Sequence, residues 1–202
     1  MDEKTSRIAL ILGAFLAGLV LFFVTILIVT GYAPSPVSQA VAAVGGPFRL
    51  DDQNGKAVTD ADMKGKPFLV FFGYTHCPDV CPTTMAELSQ ALQKLGDDGK
   101  RVQVLMVTVD PARDTAPLLG EYVSAFSPTF VGLRPADTAG LVKITKDFRV
   151  YYAQVPGKTA GEYTMDHTAA SYVFDPQGHL RLFARDGQGV DTWVHDLKLL
   201  LD

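Results

Sequence analysis

Phe71-Phe72-Gly73-Tyr74-Thr75-His76-Cys77-Pro78-Asp79-Val80-Cys81-Pro82 carries both cysteines of the chain, between an apolar run and a helical pattern. The run Phe68 to Phe72 is short and unbroken, which predicts a strand buried on both faces. Pro82 suits the first turn of a helix, and Met85, Leu88, Leu92 and Leu95 recur behind it at helical spacing. Gly96 or Gly99 would stop that helix. Pro78 and Pro82 bias Cys77 and Cys81 away from α conformation, so 77–81 reads as a loop feeding a helix that begins at Pro82. The positive end of such a helix favours thiolate. Two thiols at that junction can form a disulfide, exchange electrons with another thiol pair, or hold a soft metal.

Working outward, Phe48-Arg49-Leu50, Asn54-Gly55 and Ala57-Val58-Thr59 read as a hairpin with a type I′ turn. Thr59 or Asp60 caps a single helical turn before Gly65. Downstream, Val102 to Val109 is a second buried strand, ended by Asp110-Pro111. Asp114 or Thr115 opens a helix with Pro117 in its first turn. Phe130 to Leu133 is a third strand, and Thr138 to Phe148 a third helix with Leu141, Ile144 and Phe148 on one stripe. The pattern then turns to hairpins: Val150 to Val155 with a partner near Tyr163, and Ser171 to Phe174 with Leu180 to Ala184 across Asp175-Pro176-Gln177-Gly178. Asp191 begins a closing helix with Trp193, Val194, Leu197 and Leu200 on its buried side. A parallel β-α-β start followed by an antiparallel hairpin and a final helix predicts an α/β, thioredoxin-like fold. It carries an N-terminal β-hairpin and internal insertions, with helices on both sheet faces.

The N-terminus is different in kind. Ile8 to Val29 contains no charged residue and is almost wholly apolar, about the length that crosses a bilayer as a helix and longer than a signal-peptide core. Lys4 and Arg7 precede it, and no Lys or Arg follows until Arg49, so residues 1–7 are expected in the cytoplasm. Residues 8–30 are then a single transmembrane helix, 31–46 a Pro- and Gly-containing linker, and 47–202 one domain outside. The acidic start is unlike a mitochondrial transit peptide, and a bacterial inner-membrane protein with a periplasmic domain is the natural reading. Thiols are exposed to oxidation there. A net charge of −4 and a pI near 5.5 argue against a nucleic-acid partner.

The choice between thiol uses turns on what accompanies the cysteines. Dithiol oxidoreductases of this fold usually have two residues between the thiols, and here there are three. A peroxide-reducing relative needs a Thr three residues before its nucleophile, which this loop lacks. A metal site needs a third donor. His76 adjoins Cys77 too closely to share an ion with it, His179 sits in a polar turn, and His195 faces water on the last helix. His167 precedes the strand at Ser171, where a thioredoxin-like fold packs the chain beside the two-cysteine loop. Two thiolates and one imidazole form a three-donor set suited to Cu(I), with Cu(II) tolerated through the imidazole; structural zinc prefers four donors. Asp166 can act behind His167.

Gly73-Tyr74-Thr75-His76-Cys77-Pro78-Asp79-Val80-Cys81-Pro82 resembles the signature of the Sco/SenC copper proteins. Val107-Thr108-Val109-Asp110-Pro111-Ala112-Arg113-Asp114-Thr115 resembles their second block, and Asp166-His167-Thr168 followed by a strand and Asp175-Pro176-x-Gly178 their third. The blocks come in the family's order from about Gly46 onward, with Tyr74 where Phe is usual. The resemblance implies a copper metallochaperone, Cys77, Cys81 and His167 as copper ligands, and Asp110 and Asp114 in loops around the site. It implies delivery to the dinuclear copper (CuA) centre of cytochrome c oxidase subunit II. A periplasmic copper carrier or a thioredoxin-like reductant is then a further expected partner. The same resemblance leaves open an enzymatic role, a thiol-disulfide oxidoreductase using Cys77 and Cys81 to reduce the CuA-site cysteines before metallation.

Overall fold

The computed structural model describes residues 3–30, 44–159 and 161–201, with side chains of the first segment described over 12–26. Two compact units result, 1–40 and 41–202. The first contains helix α1, Glu3–Thr30. The described side chains of α1 are exposed, among them Leu12, Phe15, Leu16 and Phe22. Among the described residues no helix is long and apolar enough to cross a membrane. Most of the expected linker, 31–43, lies outside the described residues.

The second unit is a seven-stranded mixed sheet plus a separate two-stranded ribbon. Strands β1 (Arg49–Asp52), β2 (Ala57–Thr59), β3 (Phe68–Gly73), β4 (Gln103–Thr108), β5 (Val131–Arg134), β8 (Ala170–Phe174) and β9 (Leu180–Arg185) form the sheet in the order β2-β1-β5-β4-β3-β8-β9. Strands β6 (Tyr152–Pro156) and β7 (Tyr163–His167) pair only with each other. β3 runs parallel to β4 and antiparallel to β8, with Phe71 opposite Met106 on one side and Ser171 on the other. Every β3 residue is buried. The unbroken apolar run therefore marks a central strand, and each large side chain there contributes about 1.5–3 kcal/mol by leaving water.

Helices α2 (Val80–Leu95), α3 (Ala116–Phe126), α4 (Thr138–Asp147) and α5 (Val190–Leu201) complete the unit. Successive strand residues point to opposite faces. Val70 shares one face with Leu105, Val107 and Leu133 around Ile144 and Phe148, beside α4. Phe71 and Gly73 take the other face, where Cys81 of α2 lies against Gly73 and α2 packs on α5. The sheet is covered by helices on both faces.

Two local expectations need correction. The first hairpin turns through a type I turn closed by Gly55, not type I′. Gly55 N–H donates to Asp52 O, and only Gly55 of the turn has positive φ, at 77°. Three loop residues with a left-handed glycine satisfy the strand twist without forcing Asn54 into that region. Helix α2 starts at Val80, not Pro82, which places Cys81 in its first turn. A proline in the first turn removes an N–H that has no helical partner in any case, and the bias it places on Cys81 is overcome by packing.

Candidate metal centre

β3 delivers the chain to the site through Gly73. A Cβ at that position would lie 2.7 Å from Phe71 Cε1 and 2.9 Å from Cys81 Sγ, so only glycine lets helix α2 approach the strand this closely. Tyr74 is buried beyond it, and Cys77 N–H donates to Tyr74 O across 3.3 Å, folding the loop back. Cys77 is half-buried and Cys81 fully buried. Asp79, the residue before α2, makes no side-chain capping bond. The sulfur of Cys77 takes that role: Cys81 N–H donates to Cys77 Sγ at 3.5 Å. Helix-terminal donors of this kind favour a negative sulfur.

The thiols are consequently unequal. A hydrogen bond from Cys81 outweighs burial and pulls the Cys77 thiol down to about 3. The same bond, with burial, pushes the Cys81 thiol well above the ordinary range. The proton shared between the two sulfurs therefore favours Cys81.

His167 ends β7 and completes the set. Its Nδ1 lies 3.1 Å from Thr168 O, an oxygen that can only accept, so Nδ1 carries the proton. Nε2 is left with its lone pair 3.5 Å from Cys81 Sγ. Edge-on contacts with Phe71 and Tyr74, at centroid distances of 6.2 and 5.9 Å, hold the ring in place. The donor atoms of Cys77, Cys81 and His167 lie within 4.8 Å of one another. Bonds of about 2.0–2.3 Å place trigonal donors roughly 3.5–4 Å apart, so the cluster fits one small soft ion with modest contraction.

The remaining expected residues fall around this centre in different ways. Asp110 is buried, pairing with Arg113 Nε and accepting from the Tyr163 hydroxyl at 3.0 Å. Asp114 is fully buried and accepts from Thr75 N–H at 3.1 Å, from Thr75 Oγ1 at 2.6 Å and from Thr108 Oγ1. It ties the end of the cysteine loop's first turn to β4. Asp166 is exposed, on the face of β7 opposite His167. His179 is exposed beside Asp175, and His195 is exposed on α5. His76 is exposed and bonded to Thr75 Oγ1 at 2.9 Å.

Sequence reasoning missed Gly73, Arg113, Tyr163 and Asp186 as parts of the site's surroundings. Asp186, just after β9, has Oδ1 3.5 Å from Ser171 Oγ, while Oδ2 has no hydrogen-bond partner among the described residues. Burial pushes its carboxyl up to about 6. No local pattern marks Tyr163 or Asp186; Arg113 lies within the second family-like block and three residues after Asp110, but neither signal assigns it a role.

A thioredoxin-like α/β frame with two thiols and an imidazole converging from a separate ribbon defines a class of proteins able to hold a soft metal. The SCO1/SenC family profile matches residues 36–202, and the chain belongs to that family. It is 40% identical over 139 residues to "Protein SCO2, mitochondrial" of Saccharomyces cerevisiae, covering 67% of this chain and 46% of that protein. It is 40% identical over 152 residues to "Protein SenC" of Rhodobacter capsulatus, covering 73% and 66% respectively. The chain thus spans about half the length of the yeast relative. The structure of Bradyrhizobium japonicum ScoI with copper bound superposes with a TM-score of 0.72 at 47% identity, over 78% of this chain and 99% of that one.

Proposed function

We propose that this chain is a copper metallochaperone acting in cytochrome c oxidase assembly, with copper as cargo held by Cys77, Cys81 and His167. The observation that carries the reading is the convergence of these three donors within 4.8 Å, with His167 Nε2 free to ligate. Copper-bound relatives of the same fold support it. Capture begins at the half-buried Cys77 thiolate. Cys81 then exchanges its proton for the metal, and His167 closes the third position. Release is stepwise ligand exchange onto the thiolates of a docked partner, for which subunit II and its CuA cysteines are the proposed recipient. Oxidation of the pair to a disulfide blocks loading. The proposal includes a single-pass inner-membrane anchor over 8–30 with a periplasmic domain, supported by the uncharged run Ile8 to Val29.

The unequal thiols favour a second reading. A half-buried thiolate beside a buried, protonated thiol is the arrangement of an attacking and a resolving cysteine, as a reductase of an oxidised, disulfide-bonded CuA-site pair requires. Metal analysis of the reduced protein, purified anaerobically, tests the first reading: a metal-free protein with a reversible disulfide overturns it. His167→Ala separates the two. The chaperone reading expects tight copper binding and oxidase assembly to be lost together, whereas assembly that survives the loss of copper binding supports the reductase.

A further inference from the structure

The third donor is mounted differently from the first two. Cys77 and Cys81 follow a central strand, but among the described residues β7 pairs with β6 alone and with no strand of the main sheet. Hydrogen-bonded strand pairing therefore does not fix the ribbon's tilt. His167 lies at its root, three residues before β8, while Tyr163 lies four residues up β7, roughly 13 Å away at the rise of a strand.

Arg113 holds that far end. Its guanidinium carbon lies 3.6 Å from the Tyr163 ring centroid, close enough for a strong cation–π stack. Nη1 donates to Tyr163 O at 2.9 Å, and Nε pairs with buried Asp110. Asp110 in turn accepts from the Tyr163 hydroxyl at 3.0 Å, so acid and guanidinium grip one residue at its ring, its carbonyl and its phenol. The guanidinium carbon also lies 5.7 Å from the Tyr74 ring centroid, and Tyr74 stands edge-on to His167 at 5.9 Å. Arg134 Nη2 donates to Pro111 O at 3.0 Å, fixing the short turn from which Arg113 projects. A continuous chain of contacts thus runs from Tyr163 through Arg113 and Tyr74 to the imidazole. The guanidinium's own contacts, to Tyr163, Asp110 and Tyr74, are lost if it is removed, and an ammonium does not reproduce its planar fork.

We infer that Arg113 is a positioning residue, a latch that docks the β6–β7 ribbon and thereby presents His167 to the two thiols. The latch makes no bond to the metal. It raises affinity by holding the third donor in place before copper arrives, a preorganisation that ligand-orienting groups typically supply at 10–100-fold. The inference rests on the assignment of Cys77, Cys81 and His167 as the copper site.

Two measurements on the full-length protein test it. In the reduced, metal-free state, hydrogen exchange at the amides of β6 and β7 is expected to quicken at least about tenfold in Arg113→Ala, while β3 and β4 amides keep their protection. Unchanged exchange in the ribbon overturns the latch. With copper, competition against a Cu(I) chelator is expected to show a loss of about 10–100-fold for Arg113→Ala. The double variant Arg113→Ala/His167→Ala should bind no more weakly than His167→Ala alone, because the latch acts only through the imidazole. Additive losses overturn it. Arg113→Lys keeps a charge opposite Asp110 but no planar fork, and is expected to recover less than half of the loss on a logarithmic scale. Should Arg113→Ala not fold, Tyr163→Leu removes the stacked ring and phenol from the opposite partner, with the same two expectations. If His167→Ala leaves copper binding unchanged, the copper assignment fails while the exchange experiment still decides the latch.

Discussion

Copper loading near neutral pH should release one proton, and the number follows from the unequal thiols. Cys77, held down to about 3, is a thiolate at pH 7. Cys81 lies above the ordinary thiol range because it donates to Cys77 and is buried, so it keeps its proton until a metal displaces it. Nε2 of His167 offers a lone pair, since the ring proton is on Nδ1 against Thr168 O. One proton per Cu(I) means that affinity changes tenfold per pH unit, or about 1.4 kcal/mol, steadily from pH 7 to 8.5. Two ordinary thiols near 8.5 would instead release roughly two protons at pH 7 and roughly one at pH 8.5. Calorimetric titration of the reduced protein with chelated Cu(I), in buffers of different ionisation enthalpy, counts the protons directly. A count near two at pH 7 refutes the unequal pair. Cys81→Ser is expected to lose most of the release.

Gly73→Ala should lower thermal stability by about 1–3 kcal/mol and weaken copper binding, because the new methyl meets Phe71 and Cys81 Sγ at 2.7 and 2.9 Å. Unchanged melting and affinity would mean that helix α2 can withdraw freely from β3. Asp186→Asn tests a group whose folded-state carboxyl holds its proton up to about pH 6, against 3.8 unfolded. The folded state then binds more protons than the unfolded one in that window, and stability falls as pH rises through it. The amide should therefore stabilise the protein at pH 7.5, by about 1–2 kcal/mol after allowance for solvent screening. In urea unfolding the gain should vanish near pH 3.5, and a gain that persists there excludes titration of this carboxyl as its cause.

The elements that could be read from the sequence are those whose signal is local. An unbroken apolar run of strand length flagged β3, and helical spacing behind a proline flagged α2. His167 was readable because the order of hairpin and strand in this fold returns the chain to the cysteine loop. Its Nδ1 bond to Thr168 O, which decides which nitrogen can ligate, depends on backbone conformation and leaves no mark in residue order. Helix α2 starts two residues before the position the sequence predicts, because the local bias of Pro82 on Cys81 is weaker than the packing of α2 against Gly73. Tyr163 and Arg113 are fifty residues apart and belong to no shared pattern, so their stack exists only once the sheet has brought the ribbon over the loop. Asp114 reads as a helix cap in sequence. In the structure its carboxylate reaches back to Thr75 and Thr108 instead, and no side chain caps α3.

β3 takes one neighbour from the chain soon after it and the other from far downstream, with Phe71 opposite Met106 and Ser171. During synthesis the two thiols therefore emerge well before the imidazole, which lies 86 residues beyond Cys81. β8 must be paired with β3 before residue 167 has a fixed place. A nascent or truncated chain presents two cysteines and no third donor, so a complete ligand set forms only when the C-terminal hairpin has been made and docked. If Cys77, Cys81 and His167 bind copper as proposed, affinity at the three-donor level reports completion of the fold, and a half-made domain cannot bind the ion in the manner of the finished one.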